Sequence, residues 1–464
     1  MNSHHPHLEI NRRQLFGRSA TGIGTVALAS LLDPQASAAP EGLRHFAPRA
    51  KRVISLFMSG GPSHVDLFDP KPLLAQRHGQ PMPKSIIKDH KFAMIKTADP
   101  KIKASPWRFA KYGKSGLDVS ELLPHTAQVV DELCVIRSVH SETFNHGPAI
   151  SFMTTGDVRY GRPTMGAWLS YGLGSENDNL PAFVVLQSGK KVQPLLDSYW
   201  GSGFLPSQHQ GVPFRSAGDP VLFLSNPKGV SRVARREQLD LLAKMNRRLG
   251  DQFGDPEIEA RIAAYELAYR MQTSVPELMD ISREPKKIHE LYGSQPGARS
   301  FSNNCLLARR LAEQGVRFIQ LFDMGWDQHG DLLKGHARQC RGVDRATAAL
   351  LKDLKQRGLL DETLVIWGGE FGRTPIGQGG DGRDHHPHGF TMWLAGGGIK
   401  PGVIHGATDE FGYHAVEDRV NLYDLNATVL HCLGIDHRRL TYRFQGRDFR
   451  LTDVHGKVIR DILT

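Results

Sequence analysis

The chain has 464 residues, 40% of them hydrophobic and 23% charged, enough apolar material for a large core, which excludes a disordered or fibrous protein. Its formal charge of +10 is modest for that length, and Lys and Arg are dispersed rather than gathered in runs, so no nucleic-acid partner is expected. Four widely spaced cysteines, Cys134, Cys305, Cys340 and Cys432, form no metal-type pair and are expected as buried free thiols.

The N-terminus carries a signal of its own. Asn11-Arg12-Arg13-Gln14-Leu15-Phe16-Gly17 leads into a weakly apolar stretch, Ala20 to Leu32, and then Ala36-Ser37-Ala38. That order is a twin-arginine export signal with a small-residue cleavage site, over residues 1–38. The stretch is too short, and too rich in Gly, Ser and Thr, to be a stable membrane anchor. A periplasmic or extracellular protein beginning near Ala39 is expected, with one domain over 39–464.

Residues 52–58 form an apolar run ending in Ser59-Gly60-Gly61-Pro62, which predicts a buried first strand and a loop after it. Leu133 to Arg137 and Ala182 to Leu186 read the same way. Region 190–300 differs, being rich in Gly, Pro and Ser and then in a charged helical segment from Pro256 to Met271, and is expected as an insertion or cap. A helix from Ser302 to Gln314 precedes a strand from Phe318 to Phe322. Val343, Ala346, Leu350, Leu351 and Leu354 recur at helical spacing before Gly358, and strands follow at Leu364 to Trp367 and Phe390 to Ala395. This alternation predicts an α/β fold, a mostly parallel central sheet with helices on both faces.

Three acid and histidine clusters lie beside the last strands: Gly325-Trp326-Asp327-Gln328-His329-Gly330, Gly369-Glu370-Phe371-Gly372-Arg373-Thr374-Pro375, and Gly382-Arg383-Asp384-His385-His386-Pro387-His388. Carboxylate oxygen and imidazole nitrogen are ligands for divalent ions, and the ends of strands in open α/β sheets are where ligands bind. A metallohydrolase site follows, using a divalent metal ion to activate water or polarise an ester. Trp326 and Trp367 are expected in the core or wall of the site.

In its order of motifs, through Ser59-Gly60-Gly61-Pro62-Ser63, the three clusters, Leu394-Ala395-Gly396-Gly397-Gly398 and Leu422-Tyr423-Asp424, the whole chain resembles an exported sulfatase-like family, domain of unknown function 1501, and more broadly the alkaline phosphatase and sulfatase superfamily. The resemblance implies an alkaline-phosphatase-like fold, with metal ions held at strand ends and an ester attacked between them. It places Asp327 and His329 on one metal, completed by His385 with His388 as rival, and Glu370 on a second. Arg373 is placed to hold an ester oxygen.

Two departures from the superfamily pattern matter. The formylglycine position falls on His146 of Asn145-His146-Gly147-Pro148, and its arginine position on Ile150, so formylglycine chemistry is not expected. His146 is read as a base or metal ligand ahead of a nucleophile, or as a helix-capping residue, with Thr143 and Ser141 as reserve nucleophiles. The first strand ends in Met58-Ser59-Gly60 where the superfamily has an Asp; either His64 and Asp66 replace that ligand or the second metal is absent.

These readings give an exported metal-dependent hydrolase of phosphate or sulfate esters. Asp327, His329 and His385 hold zinc, manganese, calcium or magnesium, Glu370 and Asp384 serve as further ligands or orienting groups, His146 manages protons and Arg373 stabilises charge. Its substrate is an anionic ester, sulfated or phosphorylated polysaccharide included. The alternative is a superfamily member that has lost turnover and binds anionic polysaccharide or a partner protein at the cell surface.

Overall fold

Six apolar runs form the body of one sheet: β1 (Arg52–Ser59), β2 (Leu133–His140), β3 (Phe183–Gly189), β4 (Phe318–Met324), β5 (Thr363–Gly368) and β6 (Phe390–Ala395). They come from a computed structural model that describes residues 44–464 except 89, 190–195, 217, 223 and 254. The expected export segment lies outside the described residues. Across the sheet the order is Val403–His405, β2, β6, β5, β1, β4, β3 and Val212–Phe214, with Val420–Asn421 also pairing with β2. Only β6 runs antiparallel to its neighbours, so the sheet is mostly parallel, as expected.

Both faces of the sheet are covered, which is why its strands are continuous apolar runs rather than alternating ones. From β1, Ile54, Leu56 and Met58 enter one core, while Val53 and Phe57 enter the other. The first core is closed by helices α3 (Phe301–Glu313) and α4 (Leu332–Gln356). The second is closed by α1 (His146–Thr155), α2 (Met165–Leu173) and α5 (Leu422–Cys432). Trp326 and Trp367 are buried in the first, and all four cysteines are buried and free. Helix α4 begins well before the periodic stretch at Val343, because Gly335 in its first turn masks its start in the sequence. Gly358, at φ 67°, lies just beyond its end, where the left-handed conformation costs glycine little.

Region 190–300 contributes to the main body at several places, among them Tyr199, Trp200 and Leu205 in the second core and Ile281, Ile288 and Tyr292 in the first. Val212–Phe214 forms an edge strand beside β3, and the helix Pro256–Met279 lends Met271, Val275 and Leu278 to the first core. A second long helix, Arg232–Phe253, precedes it. Among the described residues no helix is long and apolar enough to cross a membrane.

The register fixes where the site forms. Ser59 at the end of β1 lies opposite Met324 at the end of β4, and Phe57 lies opposite Gly368 at the end of β5, so three loops leave the sheet at one level. Over that edge folds an antiparallel hairpin, Gly372–Gln378 with Gly382–His386, bulged between Arg383 and His385. A buried ion pair fastens it to the loop after β1. Arg383 Nε donates to Asp66 Oδ2 at 2.7 Å and Nη2 to Oδ1 at 3.0 Å, while Nη1 donates to the Lys103 and Thr374 carbonyls. Asp66 is therefore an anchor, and His64, bonded through Nε2 to the Gly412 carbonyl at 2.8 Å, packs beside it rather than in the candidate site.

Burial pushes the Asp66 carboxyl up, but Arg383 and Ser63 outweigh it and hold the group below its ordinary value. Stability from the pair is therefore complete above the unfolded aspartate value of about 3.9 and fades as pH falls through the depressed folded value. Arg383→Met leaves a buried carboxylate without a partner and is expected to cost about 3–5 kcal/mol at neutral pH. Urea unfolding of the two proteins at pH 7 and pH 4 checks this; the deficit should narrow at the lower pH.

Candidate metal centre

Four side chains from three segments meet at the carboxyl edge of the sheet. Asp327 and His329 follow β4, His385 lies on the hairpin, and His146 opens helix α1 after β2. One ligand atom from each lies within 4.8 Å of all the others. This approach depends on glycine. Gly60 adopts φ 121°, and a Cβ there would stand 2.5 Å from the Asp327 nitrogen, so the loop after β1 can lie backbone to backbone on the Asp327 loop.

The Asp327 Oδ1 atom is the point of convergence. His329 Nε2 is 3.1 Å from it, His385 Nε2 3.2 Å and His146 Nε2 3.3 Å. On the far side of each ring, Nδ1 faces an oxygen: Gln378 Oε1 at 2.6 Å for His329, the Phe144 carbonyl at 2.7 Å for His385, and Glu370 Oε1 at 2.6 Å for His146. A ring nitrogen facing an oxygen acceptor carries the proton, so each Nε2 presents a lone pair to the centre. His329 Nε2 and His385 Nε2 then stand 2.8 Å apart. Two lone pairs at that distance repel unless a cation lies between or beside them. The buried Nε2 of His146 likewise has no hydrogen-bond partner of its own. The donor set therefore fits a divalent ion that accepts nitrogen and oxygen, with three imidazoles and one carboxylate around it.

Burial opposes charge on Asp327, but the three imidazoles packed against it and the Arg373 guanidinium hold its carboxyl far below the usual range. Burial lowers the pKa of His146, yet Asp327 and Glu370 outweigh it and leave the group raised. His385 goes the other way, pushed down to about 4 by burial and by Arg373 against the pull of Asp327.

Glu370 and Asp384 take the orienting alternative of their two expected roles, and Arg373 departs from its own. Glu370 is fully buried and sits behind His146, accepting from the Gly60 amide at 3.0 Å and 3.2 Å as well as facing Nδ1; it orients a ring and is outside the cluster. Asp384 accepts from the Met94 and Ile95 amides and from the His385 amide, which leaves it 3.8 Å from His329 Nδ1 as a brace. Arg373, 1% exposed, donates through Nε, Nη1 and Nη2 to protein oxygens, so it positions Asp327 and does not face an ester. His388 stacks on His90 at 4.1 Å, in a separate group of rings with Tyr413 and His414.

Gln378 and the Phe144 carbonyl were not legible as partners of the centre. Gly379-Gly380-Asp381 marks the hairpin turn and with it the placing of Gln378, but nothing local marks a backbone carbonyl. Asp323 was missed as well. Buried at the end of β4, it accepts from Ser188 Oγ at 2.9 Å and from Trp326 Nε1 at 3.0 Å, and so tethers the loop that carries Asp327.

A mostly parallel α/β sheet with a histidine and carboxylate cluster at its carboxyl edge is the class of protein these features define. The chain belongs to the family described as Protein of unknown function (DUF1501), which it matches over residues 50–463. No curated protein matches it in sequence. Among solved structures it is similar to a protein in the alkaline phosphatase superfamily from Vibrio parahaemolyticus, with 12% identity, 85% of this chain and 68% of that chain covered, and a TM-score of 0.36. It is also similar to the lipoteichoic acid synthase LtaP from Listeria monocytogenes, at 10% identity, 88% and 76% coverage and a TM-score of 0.36. Alkaline phosphatase from the Antarctic bacterium TAB5 gives 10% identity, 76% and 94% coverage and a TM-score of 0.33.

Burial pushes the Asp323 carboxyl up to about 6, against the pull of Ser188 and Trp326. An acid raised on folding favours the native state below its unfolded value and loses that advantage as pH rises through about 6. Asp323→Asn keeps an acceptor for Trp326 and removes the titration. Its unfolding free energy is expected to exceed that of the parent by roughly 2–3 kcal/mol at pH 8 and to match it near pH 4, read from urea unfolding at both pH values.

Proposed function

We propose that the chain is an exported metal-dependent hydrolase of phosphate or sulfate esters. The observation that carries this reading is the convergence of three imidazole Nε2 atoms on one carboxylate oxygen, each ring braced at Nδ1 by an acceptor. His146, Asp327, His329 and His385 would hold the ion. A set of three nitrogens and one oxygen suits zinc or manganese better than calcium or magnesium, which prefer oxygen. A bound divalent ion supplies Lewis-acid polarisation of an ester oxygen and makes water a nucleophile near neutral pH.

The protein's own part is orientation and proton handling. Glu370, Gln378 and the Phe144 carbonyl keep the three rings turned inward, as second-layer partners of metal-binding histidines do. His146 Nδ1 holds a proton 2.6 Å from Glu370 Oε1, so this ligand would carry a buried proton acceptor behind its ring. His329, with 26% of its side chain exposed, is the most open of the four and marks the side from which an anionic ester enters. The chain's net charge of +10 favours such a substrate at long range. Sulfated or phosphorylated polysaccharide is the substrate class we propose.

The test is metal content and turnover together. The purified chain should hold zinc or manganese and hydrolyse p-nitrophenyl phosphate or sulfate, and a chelator should abolish both. Asp327→Asn should lose the ion, and Glu370→Gln should weaken metal affinity by about 10–100-fold with the fold intact. A protein that retains no ion after zinc and manganese are offered would overturn the reading. Bound ion without turnover on any ester would favour a surface-binding protein instead.

A further inference from the structure

The oxygens around Arg373 have the composition of a second cation site. Nη2 donates to Asp327 Oδ1 at 2.6 Å, to the Trp326 carbonyl at 3.4 Å and to the Gly60 carbonyl at shorter range. Nε donates to the Gly61 carbonyl at 3.0 Å and Nη1 to the Arg383 carbonyl at 3.2 Å. One nitrogen thus touches three oxygens from three residues, and two further carbonyls complete the surround. Carbonyl and carboxylate oxygens gathered in this way are the ligands of a hard divalent ion such as calcium or magnesium.

The cage is a product of the close backbone approach at Gly60. That approach turns the Gly60 and Gly61 carbonyls toward the carbonyl of Trp326 and the Asp327 carboxylate. Asp327 Oδ1 is shared between two surroundings, three imidazoles on one side and the guanidinium on the other. A carboxylate oxygen bridging two metal ions would have a similar arrangement. Glu370 is already engaged with the Gly60 amide and His146. A guanidinium stays protonated at any physiological pH, so its charge cannot be exchanged or withdrawn.

We infer that Arg373 takes the place of a second divalent ion, so the centre binds one exchangeable ion per chain, on the imidazole side of Asp327. This rests on the metal-centre reading above and adds the number of ions to it. Arg373 is a positioning residue whose charge stands in for a metal.

Equilibrium dialysis of the full chain against zinc, and separately against zinc with millimolar calcium, followed by elemental analysis, decides the matter. The parent protein is expected to bind one zinc and no calcium, and Arg373→Lys to do the same. Arg373→Ala opens the oxygen cage and is expected to bind one zinc and one calcium, while Asp327→Asn binds neither. Two ions on the parent protein would overturn the inference and leave the metal-centre reading standing. A folded Arg373→Ala chain, judged by circular dichroism and retained zinc, that takes up no calcium would overturn it too. If Arg373→Ala does not fold, the parent and Arg373→Lys counts decide between one ion and two. No zinc on the parent protein would remove the metal centre and this inference with it.

Discussion

One carboxylate oxygen organises this molecule. Asp327 Oδ1 receives three imidazoles and a guanidinium within 3.3 Å, and those groups are held by three different parts of the fold. Helix α1 delivers His146, the loop after β4 delivers His329, and the hairpin delivers His385 and Arg373, which are cross-strand partners in its ladder. The buried Arg383–Asp66 pair fixes that hairpin, and the glycine backbone at residue 60 allows the loops to meet. Displacing any of these supports would be felt at the same oxygen.

Charge balance explains why such a cluster is tolerable inside a protein. Three buried or largely buried carboxylates, Asp327, Glu370 and Asp384, stand against the three imidazoles, and the Arg373 guanidinium pairs with Asp327. Isolated charges in a low-dielectric interior are costly, and the protein meets that cost by hydrogen-bonding Glu370 and Asp384 to backbone amides.

Much of this could be read from the sequence, because it is written locally. Apolar runs at Phe318 and Leu364 announce strands buried on both faces, and the acids and histidines that follow them mark the ends where a site forms. What each side chain does there is a tertiary matter. Arg373 points inward because the loop after β1 offers it carbonyls, and Glu370 turns to a histidine 224 residues earlier in the chain. The bulge that separates the partners of Arg383 from those of His385 has no local signature beyond Pro375. Val212–Phe214, too short for a periodic signal, joins the sheet only because β3 leaves an edge open.

The wide spacing of the cluster along the chain has a kinetic consequence. His385 bonds to the carbonyl of Phe144, 241 residues away, and Asp327 lies between them in sequence. No short segment can assemble the ligands, so they come together only when non-local strand pairings have closed, the slow part of folding for such topologies. An ion therefore cannot template early folding here as it does in small zinc domains. Under the proposed function an ion would enter a finished scaffold, and its retention would report that the sheet, the hairpin and helix α1 have all reached their places.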